Sequence, residues 1–549
     1  MATSEDKPGR KKTRKGGSAA KPPVLPVADT QPSSARQSKA ATIDKSTEQE
    51  VNKTLDELAE GMLRGGGKEI EKVTAKLWTL RKHVPPIIVD RLTKGSSKLP
   101  GIELEMLTGF GGQKGRKYLK EIAESSGTDD IVRFGAHRRL GWPERGEAKA
   151  RLSFLNSLRE PEGTLVEAVR QGTSLWPPDG NILQEVVGYM EAASPEFAIR
   201  VLAQGARDIE PSLYAWVLRP LLHSHYPAVQ KATLAELART DAQASSGAIR
   251  RLSQTASDPE VRAEAEAMAR RLQFRVVAGR RGAKERYQEF PPVDAVWASP
   301  VDGAGAQVFL LMRDWGVGLH LVVDVLHTDS WGVKDTFGFF RLPEAESGEM
   351  LEEFRQEELE LAEIDLASAR GILVAAAETN AATGHRIPPV FEVWEPLFHD
   401  AYPPPQNELV SSPDLDDTPL ADRRDLYLRS AELLDHPFFD SWFFDPEEIG
   451  PLLPRVPTPG KKGITDTQLV PLVGLLVDDT VRHQLRNRLR REAWLLGVIG
   501  DTEERDLALA AAAGLSDSRK SEIGKHPLLR QMVLDSISNL FSGLVFPAP

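Results

Sequence analysis

A helix-start signal that recurs every 30–34 residues constrains the first half of this chain more than any other feature. The clearest copy is Asp258-Pro259-Glu260, where Asp258 can cap a helix. Pro259 suits the first helical position because its missing N–H would be unpaired there in any case. Val261, Ala265, Met268 and Leu272 then fall on one helix face. Similar starts lie near residues 226, 194, 160, 129, 99 and 68.

A repeat of this length has room for two short helices and two turns. Such a pair cannot bury its apolar face alone, so neighbouring pairs must stack on each other. We therefore predict an N-terminal α-solenoid of helix pairs over residues 51–275. The alternative is an irregular helical bundle in which the spacing of the prolines is a coincidence.

Two copies of the repeat carry a recognisable motif. The run 258–262 followed by Ala265, and Asp129-x-x-Val132-Arg133-x-x-Ala136, both resemble the second helix of a HEAT repeat of the short bacterial kind. The resemblance covers roughly residues 68–275, and it implies a fold and a style of binding rather than a substrate. The rest of the chain resembles uncharacterised bacterial proteins that also begin with helical repeats. In HEAT repeats, Asp and Arg form ladders between units, which implies structural roles for Asp129, Arg133, Asp258 and Arg262.

The first 50 residues differ from the rest in charge and composition. They carry ten Lys or Arg and six Asp or Glu, a charge of about +4, whereas the whole chain has a net charge of −11. Because aromatic and β-branched residues are scarce there, we predict a disordered basic tail over residues 1–50. The tail is either an electrostatic arm for nucleic acid or another anionic surface, or a solubilising segment without a target. Its candidate anion-binding residues are Arg10, Lys11, Lys12, Arg14 and Lys15.

Composition excludes several classes of chemistry. The chain has no cysteine, so disulfides, thiolate nucleophiles and cysteine-bound zinc are excluded. Its longest apolar runs, such as Leu469–Val477, fall well short of the roughly 20 residues that span a bilayer. The basic N-terminus has no apolar segment behind it. We therefore expect a cytoplasmic protein without a membrane partner, and we expect no cofactor.

The second half of the chain has a different residue pattern, which predicts strands as well as helices. We predict a small α+β domain over residues 287–402, in which an antiparallel meander is covered by helices at 346–366 and 367–383. A helical domain follows over residues 420–549, so the fold class is mainly α. The predicted strands are Val293–Ala298, Ala306–Arg313, Leu319–Leu326 and Phe337–Leu342. The predicted C-terminal helices lie at about 420–435, 465–476, 478–499, 501–514 and 526–543.

A possible metal site lies on the third of these strands. His320 and Asp324 alternate with apolar residues and therefore share a strand face, and His327 lies just beyond them. Together they could ligate a metal if other segments supplied further ligands. The alternative is a solvated sheet face on which His and Asp simply point to water.

Charged helices offer two further candidate surfaces. Arg482, Arg486 and Arg490 step by four and line one face of the helix at 478–499, so they are candidates for binding an anion. Acidic residues nearby could equally neutralise them. The glutamate-rich helix at 346–366 has either a solvated face or a docking surface for a basic partner, such as the tail of this chain.

An aromatic cluster lies at Phe438–Phe444, where four phenylalanines and one tryptophan occur within seven residues. A short helix cannot bury so many rings by itself. We predict that they anchor the C-terminal helices to the α+β domain. The alternative is a partner-binding patch.

These observations favour a non-catalytic scaffold that binds a protein partner through the helical-repeat surface. One alternative is a nucleic-acid-binding protein, in the style of HEAT-like DNA repair glycosylases, that is assisted by the basic tail. The net acidity of the body weighs against that alternative. A further alternative is a metal-dependent enzyme centred on His320, Asp324 and His327.

Overall fold

The computed structural model describes residues 44–64, 67–111, 113–140, 147–239, 245–279, 288–356, 361–402, 416–455 and 464–542. Its first half is built from fourteen helices in the described ranges. They are α1 Lys45–Arg64, α2 Gly67–Thr79, α3 Val84–Thr93, α4 Pro100–Gly111, α5 Gln113–Glu124, α6 Asp130–Arg139, α7 Glu147–Leu155, α8 Pro161–Gly172, α9 Gly180–Ala192, α10 Pro195–Asp208, α11 Pro211–Leu221, α12 Pro227–Leu237, α13 Ser246–Thr255 and α14 Pro259–Gly279.

Strands and three helices form the middle of the chain. They are β1 Gln288–Glu289, β2 Val293–Ala298, β3 Ala306–Gly316, β4 Leu319–Thr328, β5 Gly332–Pro343, α15 Glu344–Gln356, β6 Ala362–Glu363, α16 Leu366–Thr383, α17 Pro389–Trp394 and β7 Ala401–Tyr402. The C-terminal helices are α18 Arg424–Arg429, α19 Pro446–Ile449, α20 Asp466–Leu476, α21 Asp479–Ile499, α22 Thr502–Gly514 and α23 Pro527–Ser542. Short 3-10 segments lie at Glu395–Phe398, Thr418–Leu420, Ser430–Asp435, Pro437–Phe439, Gly450–Arg455 and Asp517–Lys525.

The predicted repeat starts coincide with the first residues of the even-numbered helices α2 to α14. Proline is the first residue in α4, α8, α10, α12 and α14, where it costs no hydrogen bond. Side chains cap two of these helices. The Asp258 carboxylate accepts hydrogen bonds from the N–H groups of Glu260 and Val261 at 2.8 and 3.1 Å, and the Ser194 hydroxyl accepts one from Phe197 N–H.

The helices of the first half form two layers. Even-numbered helices α4 to α14 pack against one another in chain order. The odd-numbered helices form the other layer, in which α1, α3 and α5 pack in order, as do α7, α9 and α11. Each helix therefore buries its apolar face against neighbours close in sequence, which confirms the predicted α-solenoid.

The first helix begins earlier than the predicted end of the tail. α1 starts at Lys45 because the Asp44 carboxylate accepts hydrogen bonds from the N–H groups of Ser46 and Thr47 at 2.8 and 3.2 Å. Its residues Val51 and Leu55 are buried. The tail residues Arg10, Lys11, Lys12, Arg14 and Lys15 lie outside the described residues.

The middle of the chain forms a five-stranded antiparallel sheet in the order β5-β4-β3-β2-β6. The four predicted strands are confirmed. The helix predicted at 346–366 is too long, because α15 ends at Gln356 and residues 362–363 instead pair with β2 as β6. The pairing of β1 with β7 brings the two ends of the predicted 287–402 segment together.

The two faces of this sheet have different coverings. Its inner face carries Phe309, Leu311 and Val323, which belong to a core that continues into the solenoid. Helix α17 packs on this side and also against α9 and α11, and α16 packs against α13. The sheet is therefore fixed to the odd-numbered layer of the solenoid. The outer face packs only part of its surface against α15, through a small cluster around Leu310 and Met312.

The aromatic cluster attaches the C-terminal helices to the α+β segment at the loop between β2 and β3. Phe438, Phe439 and Trp442 are buried, and the Trp442 indole N–H donates to the Val301 carbonyl at 3.0 Å. These contacts confirm the predicted anchoring role. No helix among the described residues has the length and apolar character that crossing a bilayer requires.

Candidate functional site

The even-numbered layer of the solenoid has a groove between α8 and α10. Its volume is ≈ 490 Å³. The lining residues are Arg159, Glu160, Pro161, Glu162, Gly163, Arg200, Ala203, Gln204 and Arg207. Because the sheet is fixed to the other layer, the groove lies on a part of the solenoid that the sheet does not cover.

Hydrogen bonds between repeats fix the wall of this groove. Asp130, at the start of α6, accepts hydrogen bonds from the N–H groups of Arg159 and Glu160 at 2.7 and 3.0 Å. Burial alone would raise the pKa of the Asp130 carboxyl, but these N–H groups and Arg133 outweigh it and lower the pKa. The segment that enters α8 is therefore held to the preceding repeat by a charged carboxylate.

In α6 and α14, the arginine at the fourth position of the helix donates a hydrogen bond to the end of the preceding helix. The buried Arg133 donates through Nε to the Ala123 carbonyl at 3.0 Å, and Arg262 donates in the same way to the Ala256 carbonyl at 3.0 Å. Both carbonyls lie at the ends of the helices before them. The structural role expected of Arg133 and Arg262 is thus visible in their contacts, but the inter-repeat acid is Asp130. The Asp129 side chain makes no capping hydrogen bond.

The arginines of the groove differ in how far they are neutralised. Arg200 pairs with Glu162 across the groove at 2.9 Å, and Arg159 lies 3.5 Å from Asp130. Both side chains are 60% exposed. Arg207 is exposed and has no acidic partner within the described part of the chain. The groove therefore offers guanidinium groups to a ligand alongside the carboxylates of Glu160 and Glu162.

The predicted metal ligands do not come together. His320 and Asp324 lie on the outer sheet face, where His320 contacts the Ser347 hydroxyl at 2.7 Å. His327 lies on the inner face, stacked on Phe309 and 3.3 Å from the Gln307 side-chain oxygen. The described residues contain no group of three or more His, Asp or Glu arranged to hold a metal ion.

His327 lies on the opposite face from His320 and Asp324 because β4 is longer than predicted. The strand continues to Thr328, so the alternation of side chains also continues past Leu326 and turns His327 to the opposite face. Burial lowers the pKa of His327 well below its usual value, with a smaller contribution from Arg491. His327 is therefore a neutral core residue.

Asp324 is the unusual member of this set. It is 5% exposed, opposite Leu310 on β3 and Phe337 on β5. Its carboxyl has no hydrogen-bond partner among the described residues. Burial, with a smaller contribution from Asp335, raises the pKa of Asp324 to about 7. A strongly perturbed acid of this kind marks a candidate binding site.

The predicted arginine face of α21 is occupied by carboxylates of the same chain. Arg482 donates to the Leu515 carbonyl at 2.6 Å and to Asp517. Arg486 makes a two-pronged contact with Asp417 at 2.7 and 2.9 Å. The charge of Arg490 attracts the Asp416 carboxylate and contributes to lowering the pKa of Asp416. The interpretation that acids neutralise these arginines is supported. Asp479, close in sequence, lies 3.4 Å from Arg482, and the other acids, Asp416, Asp417 and Asp517, come from other segments.

The most buried ionic network was not foreseen. Glu392 on α17 is fully buried, and it accepts from Arg219 at 3.0 Å and from Arg251 at 2.6 and 2.7 Å. His223 lies 3.1 Å from the same carboxylate, and Glu395 contacts both arginines. Burial would raise the pKa of Glu392, but Arg251, His223 and Arg219 together hold it well below its usual value.

This network joins the solenoid to α17 and stabilises the packing of one against the other. The sequence offered one signal for it. Two glutamates lie three residues apart in Val390-Phe391-Glu392-Val393-Trp394-Glu395, a segment otherwise apolar enough to be buried, and buried charges need partners. Which residues would pair with them could not be read from the sequence, because Arg219 and Arg251 are more than a hundred residues away.

Comparison with known proteins adds no relatives. No protein-family model, no curated protein and no solved structure matches this chain.

Proposed function

We propose that this chain is a non-catalytic, cytoplasmic scaffold that binds a protein partner through the open, even-numbered layer of its solenoid. The observation that carries the proposal is the groove between α8 and α10, with Arg159, Arg200 and Arg207 along it. Arginine is the charged residue most often found in protein interfaces, because its planar group pairs with carboxylates and also packs flat.

The repeat contacts support this style of binding. The equivalent contacts of Arg133 and Arg262 support the resemblance to HEAT repeats, which present extended helical surfaces to partners. The partner we propose carries both acidic and basic side chains at the contact. Glu160 and Glu162 also line the groove, and they would repel the unbroken negative charge of a nucleic acid.

The test is affinity capture from the native source with the groove altered. Arg200→Glu and Arg207→Glu, together, reverse two charges in the groove without touching a buried side chain. Arg170→Glu is the matched control, because Arg170 is an exposed arginine of α8 that does not line the groove. All variants should unfold at the temperature of the unaltered chain.

We expect a protein that is captured by the unaltered chain and by Arg170→Glu, and that is lost from the double variant. Treatment with nuclease should leave the capture unchanged. If the double variant captures the same proteins, the groove is not the binding surface. If nuclease abolishes capture, the partner is a nucleic acid and the alternative function holds.

A further inference from the structure

The outer face of the sheet is incompletely covered. Helix α15 packs over Met312 and Val322, but on the edge strand β5 the rings of Phe337 and Phe339 are 40% and 39% exposed. These rings lie 5.9 Å apart in an edge-to-face arrangement. Two neighbouring exposed phenylalanines on a sheet face indicate a candidate docking surface.

A buried acid lies beside these rings. Asp324 is directly opposite Phe337, and Val322 is opposite Phe339, so all four side chains share the outer face. Within the described ranges the Asp324 carboxyl has no partner, although 95% of the residue is shielded from water. An unpaired buried carboxyl is costly unless a hydrogen-bond donor or a cation reaches it.

The charge around this patch favours a cationic ligand. Helix α15 borders it and packs against β4 and β5. This helix exposes acidic side chains along its length. They are Glu344, Glu346, Glu349, Glu352 and Glu353. An extended basic segment would place one cation against Asp324 and the others along the helix.

We propose that the basic segment Lys7–Lys15 of the same chain docks on the Asp324–Phe337–Phe339 patch and the acidic side of α15. The segment holds six cations and no acid within nine residues. One Lys or Arg head pairs with the Asp324 carboxylate, while its aliphatic stem and its charge lie against the phenylalanine rings. This contact lies on a different face from the solenoid groove and does not depend on the function proposed above.

The connecting chain is long enough for docking within one molecule. From Lys15 to Asp44 there are 29 residue steps, which span up to about 100 Å when extended. In the odd-numbered layer α3, α5 and α7 lie between α1 and α9, which contacts β5, and helices that pack together lie about 10 Å apart. The tail can therefore reach the patch without a second copy.

Energy transfer between two dyes tests this contact in the full chain. The chain contains no cysteine, so Thr13→Cys in the tail and Lys334→Cys, at an exposed position on β5, can be labelled without further changes. We expect strong transfer at low salt and loss of transfer when Asp324→Asn or the pair Phe337→Ala and Phe339→Ala is added. Asp294→Asn is the matched control, because it makes the same change at an exposed position on β2 and should leave the transfer intact.

A peptide covering residues 5–17, added to a chain without residues 1–40, gives the affinity. We expect Asp324→Asn to raise its Kd at least about tenfold and Asp294→Asn to leave it unchanged. Unfolding curves confirm that the variants are folded. Equal binding to both variants, or transfer between separately labelled donor and acceptor chains when they are mixed, overturns docking within one molecule.

Discussion

At the scale of single residues, alternation along a strand explains both what the sequence revealed and what it did not. The pattern Leu319–Leu326 placed His320 and Asp324 on one face correctly. It ended the strand two residues early, and this left His327 beyond the strand instead of on the opposite face of the sheet. Nor could it show that Asp324 would be buried, because its covering comes from β3, β5 and α15 rather than from its own strand.

The raised pKa of Asp324 predicts how pH affects stability. With a folded pKa of about 7 and an unfolded value near 3.9, the folded carboxyl holds its proton more tightly. Its contribution to stability is present below about pH 4 and is lost as pH rises to about 7. Asp324→Asn should therefore raise the free energy of unfolding near pH 8, by at most about 4 kcal/mol, and change it little near pH 4.

Urea unfolding at both pH values measures this difference. The chain should lack residues 1–40, since a docked cation would itself stabilise the charged form. Asp294→Asn serves as the control and should show no pH-dependent gain. A gain from Asp324→Asn that is equally large near pH 4 would mean that the titration of Asp324 is not its origin.

At the scale of elements, local signals predicted the individual helices and strands, whereas contacts between residues distant in sequence determine how these elements pack together. Capping residues, prolines and glycine ends placed most helices to within a few residues; Gly384, for example, ends α16 in the left-handed conformation at φ 76°. The position of α17 between solenoid and sheet had a single local signal, the two glutamates in an apolar segment, and this signal did not show what the glutamates pair with. The position is set by the buried partners of Glu392 and by the Trp394 ring.

Close packing around Trp394 gives the first element-scale prediction. A methyl group at Gly338 on β5 would lie 2.8 Å from the Trp394 ring, and one at Gly180 on α9 would overlap the same ring. Gly338→Ala and Gly180→Ala should each destabilise the chain by about 1–3 kcal/mol, measured by denaturant unfolding. Gly474→Ala, in the open interior of α20, should instead stabilise by up to about 1 kcal/mol. If all three variants behaved alike, Trp394 would not lie between α9 and β5.

The buried ionic network around Glu392 gives the second element-scale prediction. Glu392→Gln leaves Arg219 and Arg251 with Glu395 as their remaining carboxylate, and it should lower the free energy of unfolding by about 3–5 kcal/mol. The control Glu260→Gln breaks an exposed pair with Lys231 and should have little effect.

The pH dependence of stability provides a second test of the same network. A lowered folded pKa means that Glu392 stabilises the fold above its unfolded pKa, and that this contribution is lost as pH falls towards the folded value. Glu392→Gln should therefore lose less stability than the unaltered chain when the pH falls from about 7 to about 3. Parallel losses in the two proteins would show that Glu392 is not a charged anchor.

At the scale of the whole molecule, the sheet covers one layer of an α-solenoid and leaves the other available. The repeat spacing predicted the solenoid, because each unit packs mainly on neighbours within the same stretch of sequence. It could not predict which layer the sheet would cover, since that depends on contacts such as Asn181 on α9 with the backbone of Gly338 and Phe340 on β5. The function proposed for the open layer depends on this arrangement.

Hydrogen exchange measured by mass spectrometry, with and without the captured partner, shows whether the partner binds the open layer of the solenoid. We expect the partner to slow exchange in α8 and α10 and to leave α9, α11 and α17 unchanged, because α17 packs on β5 and also contacts α9 and α11. Slower exchange confined to the sheet or to the C-terminal helices, with α8 and α10 unaffected, would show that the partner does not bind the open layer.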